Sequence, residues 1–219
     1  PASAAGHRRR PAPLAPQFPD WPERVTVDDY LAGGFEMTAT SALSFRRDCL
    51  LKALPIPERM RFLYADDYLT LHALFQGPAV CLTSALALHR IHGANYCAGG
   101  LLGNPKKLAA DLEMGAIYEE KLNEFLNRSG KDLSPAFRRR RELELLRRKL
   151  LLAMHQGRRG AAFTIWLSGL MRSGLSPFGL FRLATCALAL LSPSLYLSLY
   201  ESYAASASAK AARRAVVPS

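Results

Sequence analysis

The chain has 219 residues, of which 49% are apolar and 21% are charged. This length suffices for one or two domains with a real core, and the composition excludes a chain that is disordered or collagen-like throughout. Lys and Arg outnumber Asp and Glu by 29 to 18, a net charge of +11 with a sequence pI near 9.9, which suggests a nucleic acid or an anionic membrane surface as partner.

The excess positive charge lies in the last two fifths of the chain. Up to Leu126 there are 13 basic and 14 acidic residues, a net charge of −1, and from Asn127 onward there are 16 basic and 4 acidic, a net charge of +12. The cysteines are Cys49, Cys81, Cys97 and Cys186. None belongs to a CxxC pair, so neither a zinc site nor a dense disulfide framework is expected.

Residues 1–27 are predicted to be a disordered lead-in rich in Pro and Arg. The chain starts at Pro1 without the charged and apolar regions of a signal peptide, which indicates an internal fragment. Five prolines between residues 11 and 22, together with Arg8-Arg9-Arg10, cannot support a packed core.

Residues 28–103 show the pattern of a compact α/β unit. Helical spacing is found over Asp48–Leu54 and over Tyr64–Gln76, where acids open the second helix and a Gly-Pro pair closes it. Two short strands are predicted, over Ala79–Thr83 and over Leu86–Ile91.

Two amphipathic helices are predicted over residues 104–157. Each opens with a cap residue and a proline, Asn104-Pro105 and Ser134-Pro135. The first helix ends at Ser129-Gly130. The second carries Arg138 to Arg141 in its first turns, followed by apolar residues at spacings of three and four.

Residues 158–219 are predicted to form apolar, membrane-proximal helices with a basic tail. Leu183–Tyr200 is an uncharged run of 18 residues between basic residues, and Ser192-Pro193 interrupts it near the middle. A re-entrant hairpin or an interfacial pair of helices on an anionic membrane surface is therefore expected. A true membrane span, and burial against a partner or a further domain, are the alternatives.

The first candidate site is the pair of adjacent carboxylates, Asp66 and Asp67, in the opening turn of a predicted helix. The helix dipole favours the ionised form while mutual repulsion raises one pKa, so either carboxylate can serve as a general base. Acids are also common at helix N-termini for stability alone.

The second candidate is the segment around His92. If the chain is a strand up to His92, Arg90 lies on the same face, and Asn95 follows just beyond a turn at Gly93. A guanidinium and an imidazole on one face suit a diphosphate or a metal-bound phosphate, because the imidazole can ligate the ion. A histidine that merely caps a loop is the structural alternative.

The third candidate is a set of hydroxyls before a basic pair. Thr40 and Ser41 precede Arg46 and Arg47, and together they can line a polar groove. Such residues are as often ordinary strand-edge residues.

Four motifs, in this order, resemble the acceptor half of family 2 glycosyltransferases of the GT-A type. They are Met37–Arg47, Leu54–Glu58, Ala65–Leu69 and His89–Asn95. They are similar to the TSGxxFRR-like strand, the PxPE turn, the acidic motif and the YRxHGxN ending of that family. The resemblance implies an α/β fold, with a partial GT-A (Rossmann-like) catalytic domain before the helical, basic and apolar C-terminal region.

The resemblance also implies roles for single residues. Asp66 matches the general base that takes the proton from the acceptor hydroxyl during inverting transfer, and Asp67 is an adjacent second choice. His92 matches the histidine near the donor diphosphate and its divalent cation, Mg²⁺ or Mn²⁺, with Arg90 before it and Asn95 after it. The implied partners are a nucleotide-sugar donor and a lipid or glycan acceptor.

The chain departs from the family pattern in three places. Ala65 stands where many members have Glu, and His89 stands at the usual Tyr position. The nucleotide-binding half with its DxD motif should precede Phe35, and Pro1–Gly34 cannot supply it. The chain is therefore expected to be the C-terminal part of such an enzyme, and to bind a sugar nucleotide poorly or not at all by itself.

Two interpretations of other classes compete with this one. A non-enzymatic basic protein would bind nucleic acid or an anionic membrane surface through Arg138–Lys149. These basic residues lack interleaved aromatics and adjoin apolar segments, which favours lipid headgroups, so no nucleic-acid partner is expected. A small integral membrane protein is the other interpretation, and it rests on Leu183–Tyr200 alone.

Overall fold

A computed structural model describes residues 22–34, 42–60, 64–82, 101–172, 177–200 and 202. Within these ranges the protein is mostly helical. The helices are α1 (Val27–Ala32), α2 (Arg47–Ala53), α3 (Ala65–Leu74), α4 (Pro105–Ser129), α5 (Pro135–His155), α6 (Arg159–Arg172), α7 (Pro177–Leu191) and α8 (193–200). Short 3₁₀ turns lie at Glu58–Met60 and Leu101–Gly103. The strands are β1 (Arg24–Val25) and β2 (Ala79–Val80).

The predicted α/β, Rossmann-like fold is wrong for this described part of the protein. Its sheet consists of β1 and β2, two residues each, paired antiparallel with Val25 opposite Ala79. A Rossmann-like sheet needs several parallel strands joined by crossovers and covered on both faces. Of the predicted strand Ala79–Thr83, the structure describes residues 79–82, and β2 occupies the first two of these, paired with the segment that enters α1. The other predicted strand, Leu86–Ile91, lies outside the described residues.

The end of the predicted lead-in is structured rather than disordered. Val25 is fully buried. Thr26 caps α1 in a reciprocal capping box with Asp29, whose backbone N–H donates to the Thr26 hydroxyl and whose carboxylate accepts from the Thr26 N–H at 2.8 Å. Residues 1–21 of the lead-in lie outside the described residues.

The predicted ends of the two long helices are confirmed. The side-chain oxygen of Asn104 accepts the backbone N–H groups of Lys106 and Lys107, both at 3.1 Å, and so caps α4. Gly130, with a φ of +64°, ends α4, and the Ser134 hydroxyl accepts from the backbone N–H of Phe137 at the start of α5.

The side chains of α1, α3, the second half of α4 and the start of α5 form one apolar core, called the N-terminal core. Its buried residues are Val25, Tyr30, Leu31, Met60, Tyr68, Leu71, Leu74, Tyr118, Leu122, Leu126 and Phe137. Because α4 and α5 each continue beyond this core, they also form part of the second one.

The second core, called the C-terminal core, joins the start of α4 and the end of α5 to α6, α7 and α8. Its buried residues are Leu102, Leu108, Leu150, Leu151, Ala153, Met154, Ala162, Cys186, Ala189 and Tyr196. Gly169 lets α6 approach α5 closely, since a Cβ there would overlap the Leu146 side chain.

The apolar run Leu183–Tyr200 is divided where the sequence predicts a break. Helix α7 ends at Leu191, and the hydroxyl of Ser192 accepts the backbone N–H of Leu195 at 3.3 Å, which caps α8. Among the residues that the structure describes, no helix has both the length and the apolar character needed to cross a membrane.

Candidate functional site

The two candidate carboxylates lie side by side at the start of α3, in a site bounded by α1, α4 and α5. Tyr64 precedes α3 with a left-handed backbone, at a φ of +63°. Its hydroxyl donates a hydrogen bond to Asp111 on α4 at 2.9 Å. Asp66 accepts the backbone N–H of Asp67 at 3.1 Å. The half-buried Tyr64 hydroxyl therefore connects the start of α3 to α4.

The surroundings of Asp67 raise the pKa of its carboxyl group. Burial raises the pKa of Asp67 to about 6, with further contributions from the negative charges of Asp66 and Asp111, and Arg141 offsets part of the rise. Within the described part of the chain, no hydrogen bond reaches the Asp67 carboxylate oxygens. A carboxylate of this kind changes its protonation state close to neutral pH and can accept a further hydrogen bond.

Two tyrosines and an arginine form the wall beside Asp67. The hydroxyls of Tyr30 and Tyr118 are hydrogen-bonded to each other at 2.8 Å. The Arg141 guanidinium donates to the Tyr30 hydroxyl at 3.4 Å, lies 5.7 Å from the centre of the Tyr118 ring and pairs with Glu119. Burial raises the pKa of both tyrosine hydroxyls, and the negative charge of Asp67 acts in the same direction. Both hydroxyls are therefore neutral, and Arg141 supplies a positive charge beside them.

A second arginine anchors the site from the other side. Arg148 on α5 donates to Asp111 at 2.6 Å, to the Tyr64 hydroxyl at 3.2 Å and to Glu144 at 3.2 Å. The Asp111 side chain is only 9% exposed, and Arg148 is its ion-pair partner. Glu144 also pairs with Arg147. The network ties the start of α3 to the region where the N-terminal and C-terminal cores meet.

The other predicted site residues are not brought to this site by the described structure. Arg46 precedes α2 and pairs with Asp48 at 2.9 Å, with its side chain 81% exposed, and Arg47 is the exposed first residue of α2. Neither takes part in the contacts around Asp67. The remaining predicted site residues, which lie outside the described residues, are Thr40, Ser41, Arg90, His92 and Asn95.

The sequence interpretation missed the partners of Asp67 on α4 and α5. A signal for three of them is present in the helical spacing. Asp111 and Tyr118 occupy positions of the apolar stripe of α4 that also holds Leu108 and Leu122, where a charged residue is unusual unless it is paired. Arg141 lies four residues after the buried Phe137, so it also points toward the core.

A separate groove of about 280 Å³ lies between α2, α3 and the end of α4. It contains Lys52, His72 and Arg128, which at first suggests an anion site. However, its lining includes residues from the last turns of all three helices, whose carbonyl groups carry partial negative charge. Lys52 and Arg128 lie in the last turns of α2 and α4, where a positive charge compensates the helix end, and burial lowers the pKa of His72, which favours its neutral form.

Comparisons with protein-family models, with curated proteins and with solved structures find no match for this chain. The function must be inferred from the site. Among the described residues, no three His, Cys, Asp or Glu side chains lie close enough together to hold a metal ion. Asp66 and Asp67 alone do not form a ligand set, and the predicted metal ligand, His92, is outside these residues.

Proposed function

We propose that this chain is the acceptor-side part of an inverting glycosyltransferase, and that Asp67 is its general base. The observation that supports the proposal best is the half-buried Asp67 carboxylate, with a pKa raised to about 6. A base whose pKa lies near the working pH is still largely ionised at pH 7 and accepts a proton more readily than an ordinary carboxylate. The sequence resemblance points to Asp66, and the surroundings of the two carboxylates favour its neighbour.

In the proposed reaction, the acceptor hydroxyl gives its proton to Asp67 while its oxygen attacks the anomeric carbon of the donor sugar. The bond between that carbon and the nucleotide diphosphate breaks with inversion, and the diphosphate leaves with the electron pair. The positive charge of Arg141 lowers the pKa of Asp67 and so offsets part of the effect of burial. The donor is a nucleotide sugar, and the acceptor is a lipid or a glycan.

A divalent cation, when bound, would supply positive charge to the leaving diphosphate. The resemblance implies His92 as its ligand. The described residues offer no replacement ligand set.

A peripheral position on the cytoplasmic face of a membrane is also part of the proposal. It is supported by exposed apolar side chains on α6, α7 and α8. The alternative, a non-enzymatic protein that binds through Arg138–Lys149, has less support. Three basic side chains of this segment, those of Arg141, Arg147 and Arg148, already lie in ion pairs on the inner side of α5.

The test is sugar transfer by the protein expressed from its complete open reading frame, in its native membranes, with labelled nucleotide sugars. Asp67→Asn should lower transfer at least ~100-fold while leaving nucleotide-sugar binding unchanged, because general-base catalysis contributes about that much. Asp66→Asn is the matched control and should keep most of the activity. Circular dichroism of both variants checks the fold.

Two results would refute the proposal. One is full transfer by Asp67→Asn. The other is a complete protein that neither binds nor transfers any nucleotide sugar.

A further inference from the structure

Helix α6 carries a continuous stripe of exposed apolar side chains. Phe163, Leu167, Leu170 and Met171 follow one another at spacings that place them on one helix face, and they are 54%, 41%, 41% and 83% exposed. The opposite face packs on α5 and α7 through the buried Ala162. With a large side chain exposing about 200 Å² in full, the four residues, called the α6 stripe, present roughly 400 Å² of apolar surface, a size typical of an interaction site.

The uncharged polar side chains of α6 are already hydrogen-bonded within the protein. The Thr164 hydroxyl donates to the Gly160 carbonyl at 3.0 Å, and the Ser168 hydroxyl donates to the Ile165 carbonyl at 2.7 Å. The indole N–H of Trp166 donates to a carbonyl of α7 at 3.0 Å. These groups can therefore enter an apolar environment without losing a hydrogen bond to water.

In the sequence on both sides of the stripe, the charged residues are basic. From Leu145 to Tyr200 the sequence contains seven Lys and Arg residues and no Asp or Glu, and two of the seven, Arg147 and Arg148, are paired with acids on α4 and α5. Arg158 and Arg159, both exposed, stand at the start of α6. An apolar helix face flanked only by cations complements an anionic surface, and it is the pattern of helices that lie in a lipid interface.

The length of α6 also suits a helix that lies in a lipid interface. Its 14 residues extend over ~21 Å, whereas the hydrocarbon core of a bilayer is about 30 Å thick. A helix of this length with one apolar face fits along the plane of the interface.

We propose that the α6 stripe inserts into the headgroup boundary of an anionic bilayer, with Arg158 and Arg159 against the lipid phosphates. This assigns to α6 in particular the membrane contact that the sequence predicts for residues 158–219. The inference rests on the peripheral membrane position in the proposed function and is independent of sugar transfer. Vesicle binding and transfer can therefore fail separately.

The experiment is flotation of the purified chain with phosphatidylcholine vesicles that contain or lack phosphatidylglycerol. The parent chain should float with the anionic vesicles and less with the neutral ones. Phe163→Ser/Leu167→Ser should weaken binding at least ~tenfold, because apolar area no longer leaves water on insertion. Arg158→Ala/Arg159→Ala should weaken binding to anionic vesicles selectively and reduce its sensitivity to salt.

The matched control is Leu51→Ser/Leu82→Ser, which changes two apolar side chains that are 59% and 72% exposed elsewhere. It should bind like the parent, and circular dichroism should show that all variants are folded. Three results would overturn the proposal: no flotation of the parent, equal binding by the Phe163/Leu167 variant, or a stable dimer in solution that these substitutions dissociate. The dimer would mean that a second copy covers the stripe.

Discussion

Asp67→Asn is expected to stabilise the folded protein at neutral pH, although it removes the proposed base. Burial and the charges of Asp66 and Asp111 raise the pKa of Asp67 to about 6, whereas an aspartate in an unfolded chain has a pKa of about 3.9. Below about pH 4 the carboxyl is protonated in both states and contributes nothing to the pH dependence. Between about pH 4 and 6 the unfolded state releases its proton first, so stability falls as the pH rises, and above about pH 6 the loss is constant.

The size of this effect follows from the two pKa values. A difference of about two between the pKa values of the folded and the unfolded state corresponds to about 3 kcal/mol of unfolding free energy at 25 °C. Asn carries no charge that burial would penalise. Because Asp67 keeps partial contact with solvent, we expect Asp67→Asn to gain about 1–3 kcal/mol at neutral pH and almost nothing at pH 4.

Urea unfolding of the parent and the variant at about pH 7.5 and about pH 4 measures the effect. Glu58→Gln is the control, since Glu58 is an exposed carboxylate in a short 3₁₀ turn and its replacement should leave stability unchanged at both values. An Asp67→Asn variant that is no more stable than the parent at neutral pH would refute the reasoning. A gain of the same size at both pH values would refute it as well.

Two further predictions concern the contacts that hold the site in place. Arg148→Ala removes the cation from a buried carboxylate and should cost about 3–5 kcal/mol in urea unfolding, whereas Arg59→Ala, in an exposed pair, should change stability by less than ~0.5 kcal/mol. Gly33→Ala should cost about 1–3 kcal/mol in thermal unfolding, because Gly33 has a φ of +81° and a Cβ there would lie 2.6 Å from the Phe137 ring. Gly130→Ala, at a φ of +64° with open space around it, should cost less. Equal losses of stability in Arg148→Ala and Arg59→Ala would contradict the argument from burial. Equal losses in Gly33→Ala and Gly130→Ala would contradict the argument from the close contact with Phe137.

The helix ends were predictable from the sequence because their causes are local. Asn104 and Ser134 each cap a helix whose next residue is proline, and Gly130 supplies the left-handed residue that ends α4. The break at Ser192-Pro193 is of the same kind, since proline cannot continue the hydrogen bonding of the preceding helix. Residues within a few positions of each other decide all of these features.

The fold class could not be predicted in this way. The run that begins at Ala79 is short and apolar, and such a run is compatible with a strand in a parallel sheet, a strand in a small ribbon or an irregular segment. Its partner, β1, lies more than fifty residues earlier in the chain. Pairing over that distance is decided by tertiary packing, and the packing that the structure shows is between helices.

The candidate site was predictable only in its first turn. Asp66 and Asp67 could be placed at the start of a helix from their position before an apolar, helical pattern. The pKa of Asp67 is raised by burial and by the negative charges of Asp66 and of Asp111 on α4, and Arg141 on α5 offsets part of the rise. Because burial and the contacts with α4 and α5 are tertiary, the sequence interpretation could not distinguish the two carboxylates. Spacing predicts the face of a helix, and it does not predict which other helix covers that face.

A pH titration of the Asp67 side-chain carboxyl, followed by its carbonyl-carbon NMR chemical shift, tests most directly whether this group is poised as a general base. We expect a midpoint of about 6 in the parent chain and a lower midpoint in Asp66→Asn, because that change removes a neighbouring negative charge. A parent midpoint near the ordinary aspartate value of about 3.9 would contradict the assignment of Asp67 as the base.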